Sequence, residues 1–190
     1  MLRPEYPIRT ERLDLRPFVP EDHADVLAFR SRADVARYLL TGRLGPDEVR
    51  ELLRKAAGRT ALRREGDELA LAVVERATGR VIGDVVLVWR SADHMTGEIG
   101  YVFHPEVQGR GYATEAAQAV LALGFDQLGL HRIIGRCDAR NTASARVLER
   151  LGMRQEAHFV ENERIKGEWT DELVYALLAR EWRKMNQPPA

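Results

Sequence analysis

A segment with two closely spaced glycines, Val107-Gln108-Gly109-Arg110-Gly111-Tyr112-Ala113-Thr114-Glu115-Ala116, constrains this chain more than any other. It follows a strand-like run, Glu98 to Phe103, and it opens a helix-like run, Ala113 to Leu128. Glycines spaced i, i+2 at such a junction form a loop whose backbone N–H groups can converge on one point. The first turn of a helix adds unsatisfied N–H groups and a partial positive charge. The segment therefore predicts an anion site suited to a phosphate or pyrophosphate.

The composition is that of a globular chain. Its 190 residues suit a single domain, expected over 1–190 with a core at about 8–183. Basic and acidic residues balance at 29 each, so neither nucleic acid nor a membrane is expected as a partner. No run approaches the roughly 18 apolar residues of a membrane span, and the N-terminus lacks an apolar signal core. We therefore expect a cytoplasmic protein. The single cysteine, Cys137, excludes an internal disulfide and a cysteine-rich metal site, and we expect no metal.

Hydrophobic periodicity predicts a mixed order of strands and helices. This order favours an α+β fold, with a mixed central sheet of roughly seven strands flanked by helices, over a regular doubly wound fold. Gln187 to Ala190 is expected to be a frayed tail. The predicted strands are Glu11–Phe18, Glu68–Arg76, Val81–Arg90, Gly97–Phe103, His131–Asp138, Arg154–Arg164 and Glu168–Leu178. The predicted helices run from Pro20 past Arg30, over Ala33–Leu40, from Pro46 to about Arg63, over Ala113–Leu128 and over Asn141–Leu151.

Two other kinds of phosphate loop do not fit the glycine segment. A P-loop requires G-x-x-x-x-G-K-S/T, and no such run is present. A dinucleotide fingerprint requires a third glycine, where this chain has Thr114. Such a fingerprint also stands near the start of a βαβ unit, whereas this segment lies past the middle of the chain. Taken alone, Gly109 and Gly111 are equally compatible with a tight turn that binds nothing.

The segment has neighbours that resemble a known family. Gln108-x-x-Gly111-x-Ala113 resembles the acyl-coenzyme A loop of the GNAT superfamily of N-acetyltransferases, Q/R-x-x-G-x-G/A. Four further segments resemble other parts of that family in the same order, and the last two are similar to its Rim-type branch, which includes ribosomal-protein-alanine N-acetyltransferases. These segments are Gly97–Phe103, Asn141-x-x-Ser144 with Val147–Met153, Thr10–Arg16, and Trp169-x-Asp171 with Val174-Tyr175 and Leu178.

The resemblance implies a splayed sheet that binds acetyl-coenzyme A between two parallel strands. Backbone groups near Tyr101, Val102 and Phe103 would pair with the pantetheine arm and the thioester carbonyl. The pyrophosphate would lie on the segment 108–114, and Asn141 and Ser144 would contact the pantetheine arm near the sulfur. The implied pyrophosphate residues are Gln108, Gly109, Arg110, Gly111, Tyr112, Ala113 and Thr114.

The resemblance also implies catalytic groups, each with a simpler structural interpretation. Glu98 is the best candidate base, directly or through water, unless it is only a solvated strand carboxylate. Ser144 or Tyr175 would protonate the leaving thiolate, although Tyr175 also suits the core and Asn141 also suits a helix N-cap. His104 and His158 are weaker candidate bases.

These features together predict an enzyme that transfers an acetyl group from acetyl-coenzyme A to a primary amine by direct attack in a ternary complex. The acceptor is expected to be a protein N-terminal α-amine or a small amine such as an amino acid, polyamine or antibiotic. A non-catalytic acyl-coenzyme A sensor is the alternative, and a homodimer is compatible with the sequence. The acceptor pocket is expected from the variable segments Leu39–Glu48, Trp89–Thr96 and His158–Gly167.

Overall fold

One mixed sheet of eight strands organises the molecule, in a computed structural model that describes residues 1–187. The strand order across the sheet is β1-β2-β3-β4-β5-β6-β8-β7. The β5–β6 pair is parallel, and the other neighbouring strands run antiparallel. The strands are β1 Ile8–Arg9, β2 Leu13–Arg16, β3 Glu68–Glu75, β4 Val81–Ser91, β5 Thr96–Phe103, β6 Arg132–Asp138, β7 Arg154–Ile165 and β8 Glu168–Leu178.

Six α-helices within residues 1–187 flank the sheet. The third helix begins at a strong start signal, because Pro46 occupies its first position and the Glu48 carboxylate accepts a hydrogen bond from the Gly45 backbone N–H at 2.7 Å. The helices are α1 His23–Arg30, α2 Ala33–Ala36, α3 Pro46–Ala56, α4 Tyr112–Ala122, α5 Thr142–Arg150 and α6 Ala179–Asn186. A π-helical turn, Leu123–Gln127, extends α4.

The two faces of the sheet carry separate cores. Helices α1 and α3 pack on one face, which we call the α3 face, through residues such as Phe29 and Leu53 over Ala70 and Ala72. Helices α4, α5 and α6 cover the opposite α4 face, where Trp182 of α6 stacks on Phe125. Both layers bury apolar surface against the sheet, so the central strands β3 and β4 are buried along most of their length.

The parallel strands β5 and β6 separate part of the way along. They pair from Thr96 opposite Arg132 to Ile99 opposite Gly135. Beyond that point β5 continues alongside β4 as far as Phe103, and β6 continues alongside β8. A wedge-shaped opening in the sheet follows, with one unpaired backbone edge of β5 facing into it.

The α+β class and the mixed sheet are confirmed, and the splay implied by the family resemblance is present. The described sheet has one strand more than the seven predicted, because β1 pairs with β2. β1 has only two residues, which is too few for hydrophobic periodicity to reveal. The third helix ends at Ala56 and not near Arg63, because Leu62 leaves the helix to pair with Leu2 in an isolated bridge. Helix α6 was not predicted. Residues 188–190 of the expected tail lie outside the described residues.

In residues 1–187, no helix is both long and apolar enough to cross a membrane.

Candidate active site

Two cavities meet where β5 and β6 separate. The first, the loop-side cavity, has a volume of about 250 Å³ and is lined by Phe103, Gln108, Ala113 and Val147 among others. The second, the acidic cavity, has a volume of about 400 Å³. Both cavities are lined by Tyr38, Leu39, Tyr101, Val102, Asn141 and Ser144. A molecule bound across the junction could therefore reach from the glycine loop to the acidic cavity.

The glycine loop presents free backbone donors. Gly109 and Gly111 both have left-handed φ angles, 78° and 82°, which residues with a Cβ rarely adopt. Within the described residues, no backbone N–H from Gly109 to Thr114 donates a backbone hydrogen bond. The Thr114 Oγ1 atom is also buried, and it has no hydrogen-bond partner among residues 1–187. Such a row of donors at the start of α4 fits a pyrophosphate.

The turn between β1 and β2 holds the loop in place. The Arg12 guanidinium donates to the Arg110 carbonyl oxygen at 2.9 Å and to the Glu115 carboxylate at 2.7 Å. Glu115 also accepts from the Thr10 hydroxyl at 2.6 Å. The Tyr112 hydroxyl donates to Glu75 at 2.5 Å, so the Tyr112 side chain is tied to the scaffold. Sequence analysis missed Glu115 as an anchor, although an acid in the first turn of α4 was visible.

The predicted cofactor residues separate into two groups by position. Tyr101, Val102 and Phe103 line the loop-side cavity on β5, and Gln108, Ala113, Asn141 and Ser144 line it as well. The other loop residues do not line the loop-side cavity. Their support as cofactor residues comes only from their free backbone N–H groups and from the Thr114 hydroxyl. These residues are Gly109, Arg110, Gly111, Tyr112 and Thr114.

Asn141 and Ser144 lie at the junction of the cavities. Asn141 caps α5, since its Oδ1 accepts from the Ser144 backbone N–H at 3.1 Å. The Tyr101 hydroxyl lies 3.0 Å from the Ser144 carbonyl oxygen, to which it donates, and 3.2 Å from Ser144 Oγ. Burial raises the pKa of Tyr101 well above its ordinary range, so the phenol keeps its proton. The hydroxyl groups of Tyr101 and Ser144 therefore lie side by side where β5 and β6 separate. Sequence analysis had assigned a role only to the backbone of Tyr101.

Five charged side chains form a connected cluster, and four of them, all except Arg90, line the acidic cavity. Arg136 donates to Glu98 at 3.1 Å and to Glu172 at 3.2 Å, and Arg90 donates to Glu98 at 2.8 Å. Glu163 lies 4.0 Å from the same Arg136. Three carboxylates thus share two guanidinium groups, and the cluster retains excess negative charge.

Glu172 is the most buried carboxylate of this cluster. Its side chain is 10% exposed, and its other oxygen accepts from Asn162 Nδ2 at 2.9 Å. Burial raises the pKa of Glu172; Arg136 opposes that shift, and the nearby carboxylates of Glu163 and Glu98 add to it. Sequence analysis missed Glu172, although an acid between the apolar positions of a strand was a usable signal.

A second acidic residue, Asp84, lies on the central strand β4. Arg30 of α1 donates to its Oδ2 at 2.6 Å, and both side chains are nearly buried. Burial raises the pKa of Asp84 despite the opposing charge of Arg30. An acid within the apolar run of β4 was also visible in the sequence and was not singled out.

The remaining candidates lie away from the junction. Tyr175 is 2% exposed, and its hydroxyl donates to Glu149 at 3.3 Å and to Gln155 at 3.4 Å, so it is a core residue of the α4 face. The His104 ring accepts from the Glu106 backbone N–H, and His158 pairs with Asp171 at 2.9 Å. Cys137 lines the acidic cavity, but burial raises its pKa to about 11, with a small opposing effect of the Ser144 hydroxyl.

The segments expected to border the acceptor are partly present. Residues of Leu39–Glu48 and His158–Gly167 line the acidic cavity, among them Leu40, Thr41, Glu163 and Ile165, whereas Trp89–Thr96 does not contribute. In residues 1–187, no group of three or more His, Cys, Asp and Glu side chains could hold a metal ion.

Comparison with known proteins agrees with this geometry. The family described as Acetyltransferase (GNAT) domain matches residues 12–154. An uncharacterized N-acetyltransferase, YnaD, of Bacillus subtilis is 37% identical, over 92% of this chain and 98% of the relative. A GNAT-family acetyltransferase structure from Bacillus anthracis has a TM-score of 0.82 at 35% identity, over 92% of this chain and 99% of that chain.

A further solved structure contains ligands. It is the spermidine N-acetyltransferase of Vibrio cholerae in complex with CoA and spermine, with a TM-score of 0.75 and 25% identity, over 91% of this chain and 99% of that chain. The family match, the full-length relative and the splayed sheet agree with one another. The chain therefore belongs to the GNAT family and is an acetyltransferase.

Proposed function

We propose that this enzyme transfers an acetyl group from acetyl-coenzyme A to a primary amine by direct attack in a ternary complex. The observation that carries the proposal is the junction of a donor-rich loop, a splayed strand edge and an acid-lined cavity. Acetyl-coenzyme A supplies the acetyl thioester, whose C–S bond breaks as the amine nitrogen bonds to the carbonyl carbon. Each end of the cleft then has a separate task.

The loop side binds the donor. The free N–H groups of 109–114 and the Thr114 hydroxyl would bind the pyrophosphate. The unpaired edge of β5 at Tyr101–Phe103 would pair with the pantetheine arm as a neighbouring strand would. A backbone N–H on that edge would also stabilise the charge that develops on the thioester oxygen.

Ser144 is the proposed proton donor to the leaving thiolate. It lies at the junction of the cavities, whereas Tyr175 is enclosed in the core. Tyr101, whose hydroxyl adjoins Ser144 Oγ at 3.2 Å, would hold the serine hydroxyl in position. We therefore prefer Ser144 to Tyr175 for this role.

Glu172 is the proposed general base, in place of Glu98. Both carboxylate oxygens of Glu98 accept from guanidinium groups, so protonation of Glu98 would cost two charge-assisted hydrogen bonds. Glu172 has one such bond, and its raised pKa brings its proton affinity nearer to that of an amine. Glu98 instead holds Arg136 in position.

The excess negative charge of the acidic cavity favours a cationic amine as the incoming acceptor. An ammonium group would be attracted into the cluster and would lose its proton there. The Vibrio cholerae relative is named for spermidine, which is one such amine. A protein N-terminal α-amine stays a prediction, and so does each of the small amines named above.

Release of free thiol from acetyl-coenzyme A tests the proposal with a panel of amines and N-terminal peptides. We expect turnover with at least one amine and a large loss of turnover in Ser144→Ala. The matched control is Ser91→Ala, on β4 outside both cavities, which should retain turnover. If acetyl-coenzyme A binds but no amine in the panel is acetylated, the proposed catalysis is wrong and the sensor alternative is favoured.

A further inference from the structure

A third cavity adjoins the acidic cavity on the α3 face of the sheet. It has a volume of about 550 Å³ and lies between α1, α3 and the strands β3 and β4. It shares four lining residues with the acidic cavity, Arg30, Thr41, Asp84 and Val86. The two cavities are therefore neighbouring parts of one trough.

The floor of this trough is a cross-strand row of small residues. Gly100 of β5 lies opposite Val86 of β4, which in turn lies opposite Ala70 of β3. Gly100 is exposed, and a Cβ atom built on it would meet nothing within 4 Å. The row leads from Gly100, on the same strand as Glu98, to Ala70 in the third cavity over two strand spacings, about 10 Å.

The third cavity is apolar at its base. Phe18, Leu44, Leu52, Ala56 and Val86 line it, and Leu44 and Leu52 are only half-buried, so apolar side-chain surface is open to a ligand. A bound hydrocarbon would remove that surface from water.

Two of the three acids on α3 at the rim of the third cavity, Asp47 and Glu51, are already paired with cations. Glu51 lies 2.7 Å from Arg54 and 3.3 Å from Lys55, Asp47 bonds to Arg50, and the Glu48 carboxylate accepts from the Gly45 N–H. A second ammonium group at the far end of an acceptor would therefore have to compete with Arg50, Arg54 and Lys55 for Asp47 and Glu51. This arrangement favours an uncharged arm over a charged one.

We propose that the trough binds the hydrocarbon arm of the acceptor, so the preferred acceptor is a primary amine with one long apolar chain. The inference rests on the proposed acetyl transfer and adds its substrate class. The amine would lie at Glu172 and Ser144, and the arm would cross Gly100 toward Leu44 and Leu52. An extended chain advances about 1.2 Å per bond, so about eight bonds cover the row from Gly100 to Ala70.

A series of unbranched primary alkylamines, from propylamine to decylamine, tests the proposal by kcat/KM for thiol release. Burial of hydrocarbon predicts a rise of up to about fourfold per methylene as the chain grows, continuing at least to octylamine. Spermidine has a similar length but carries charge along it, and its kcat/KM should lie below that of octylamine. A flat series, or a preference for spermidine over octylamine, would overturn the inference.

Two variants and one control locate the effect in the trough. Leu52→Gln and Gly100→Leu should each lower the octylamine-to-propylamine ratio of kcat/KM by about tenfold or more. Val160→Gln, an apolar-to-amide change at an exposed position on β7, is the matched control and should leave that ratio unchanged. Thermal unfolding verifies that each variant is folded, and Leu44→Gln replaces Leu52→Gln if the latter is not. An unchanged ratio in folded Leu52→Gln and Gly100→Leu would refute the site.

The outcomes separate the two proposals. Acetylation of propylamine with no effect of chain length leaves the proposed function intact and rejects the apolar subsite. Failure to acetylate every amine in the series, although acetyl-coenzyme A binds, rejects the proposed function itself.

Discussion

The replacement Glu172→Gln removes the proposed base while keeping the size of the side chain. Arg136 retains its hydrogen bond to Glu98 at 3.1 Å, so the change does not leave a buried guanidinium unpaired. The amide can still accept from Asn162 or Arg136 through its oxygen. The variant therefore tests proton transfer with little change in packing.

The expected size of the effect follows from the acidity of the acceptor. An alkylamine with a pKa near that of lysine, about 10.4, is only about 0.1% neutral at pH 7.5. General base catalysis contributes about 10²- to 10⁴-fold, so kcat/KM should fall by that factor at neutral pH. The loss should shrink by about tenfold for each pH unit as the amine itself loses its proton.

A pH profile of kcat/KM is the assay, and its acid limb gives the sign. Wild-type activity should fall as the pH is lowered through a pKa above the ordinary glutamate value of about 4.3, because protonated Glu172 cannot accept a proton. The variant should lack this limb and rise continuously with pH. Glu168→Gln, on the same strand but 76% exposed, is the control and should retain the wild-type profile.

Stability should move in the opposite direction from activity. The folded protein binds the Glu172 proton more tightly than the unfolded chain does, so the ionised group destabilises the fold above its folded pKa. Glu172→Gln should therefore unfold at the same temperature as wild type, or a higher one, at pH 8. A variant with the wild-type pH profile and undiminished kcat/KM would refute the assignment of Glu172.

The remaining predictions concern the donor side and the core. Ser144→Ala should lower kcat by about 10²- to 10⁴-fold with little change in KM for the amine. Tyr175→Phe should mainly lower the free energy of unfolding, by about 1 kcal/mol. Equal losses of kcat in the two variants would contradict the structural role of Tyr175 in the core. Gly111→Val should abolish acetyl-coenzyme A binding in calorimetry, and it should lower the free energy of unfolding in urea by about 1–2 kcal/mol because φ is 82° at this position. Retained binding would show that the loop is not the pyrophosphate site. Cys137 should react slowly with iodoacetamide at pH 8, since its thiol pKa is about 11, and rapid alkylation by mass spectrometry would contradict its burial.

Features determined by local sequence were predicted well. The glycines at 109 and 111 adopt the left-handed backbone that a tight strand-to-helix loop requires, and Asn141 caps α5 as its position indicated. The seven longer strands were found because alternation and apolar runs are properties of neighbouring residues. Boundaries were less accurate where distant contacts decide them, as at Leu62, which leaves helical structure to pair with Leu2.

The charge cluster could not be predicted because it depends on the order of strands in space. β8 lies between β6 and β7, and this order brings Glu172 next to Arg136. A hairpin between β7 and β8 is evident from sequence, but nothing local indicates which of the two strands pairs with β6. The proposed base therefore moved from Glu98, the acid recognised by its motif, to an acid made important by the fold.

Titration calorimetry of the purified protein with acetyl-coenzyme A, ATP and NAD measures the central claim most directly. The splayed β5–β6 edge and the loop 109–114 should bind acetyl-coenzyme A with one site per chain, and ATP and NAD should bind far more weakly because neither carries a pantetheine arm. Tight binding of ATP without binding of acetyl-coenzyme A would contradict the account.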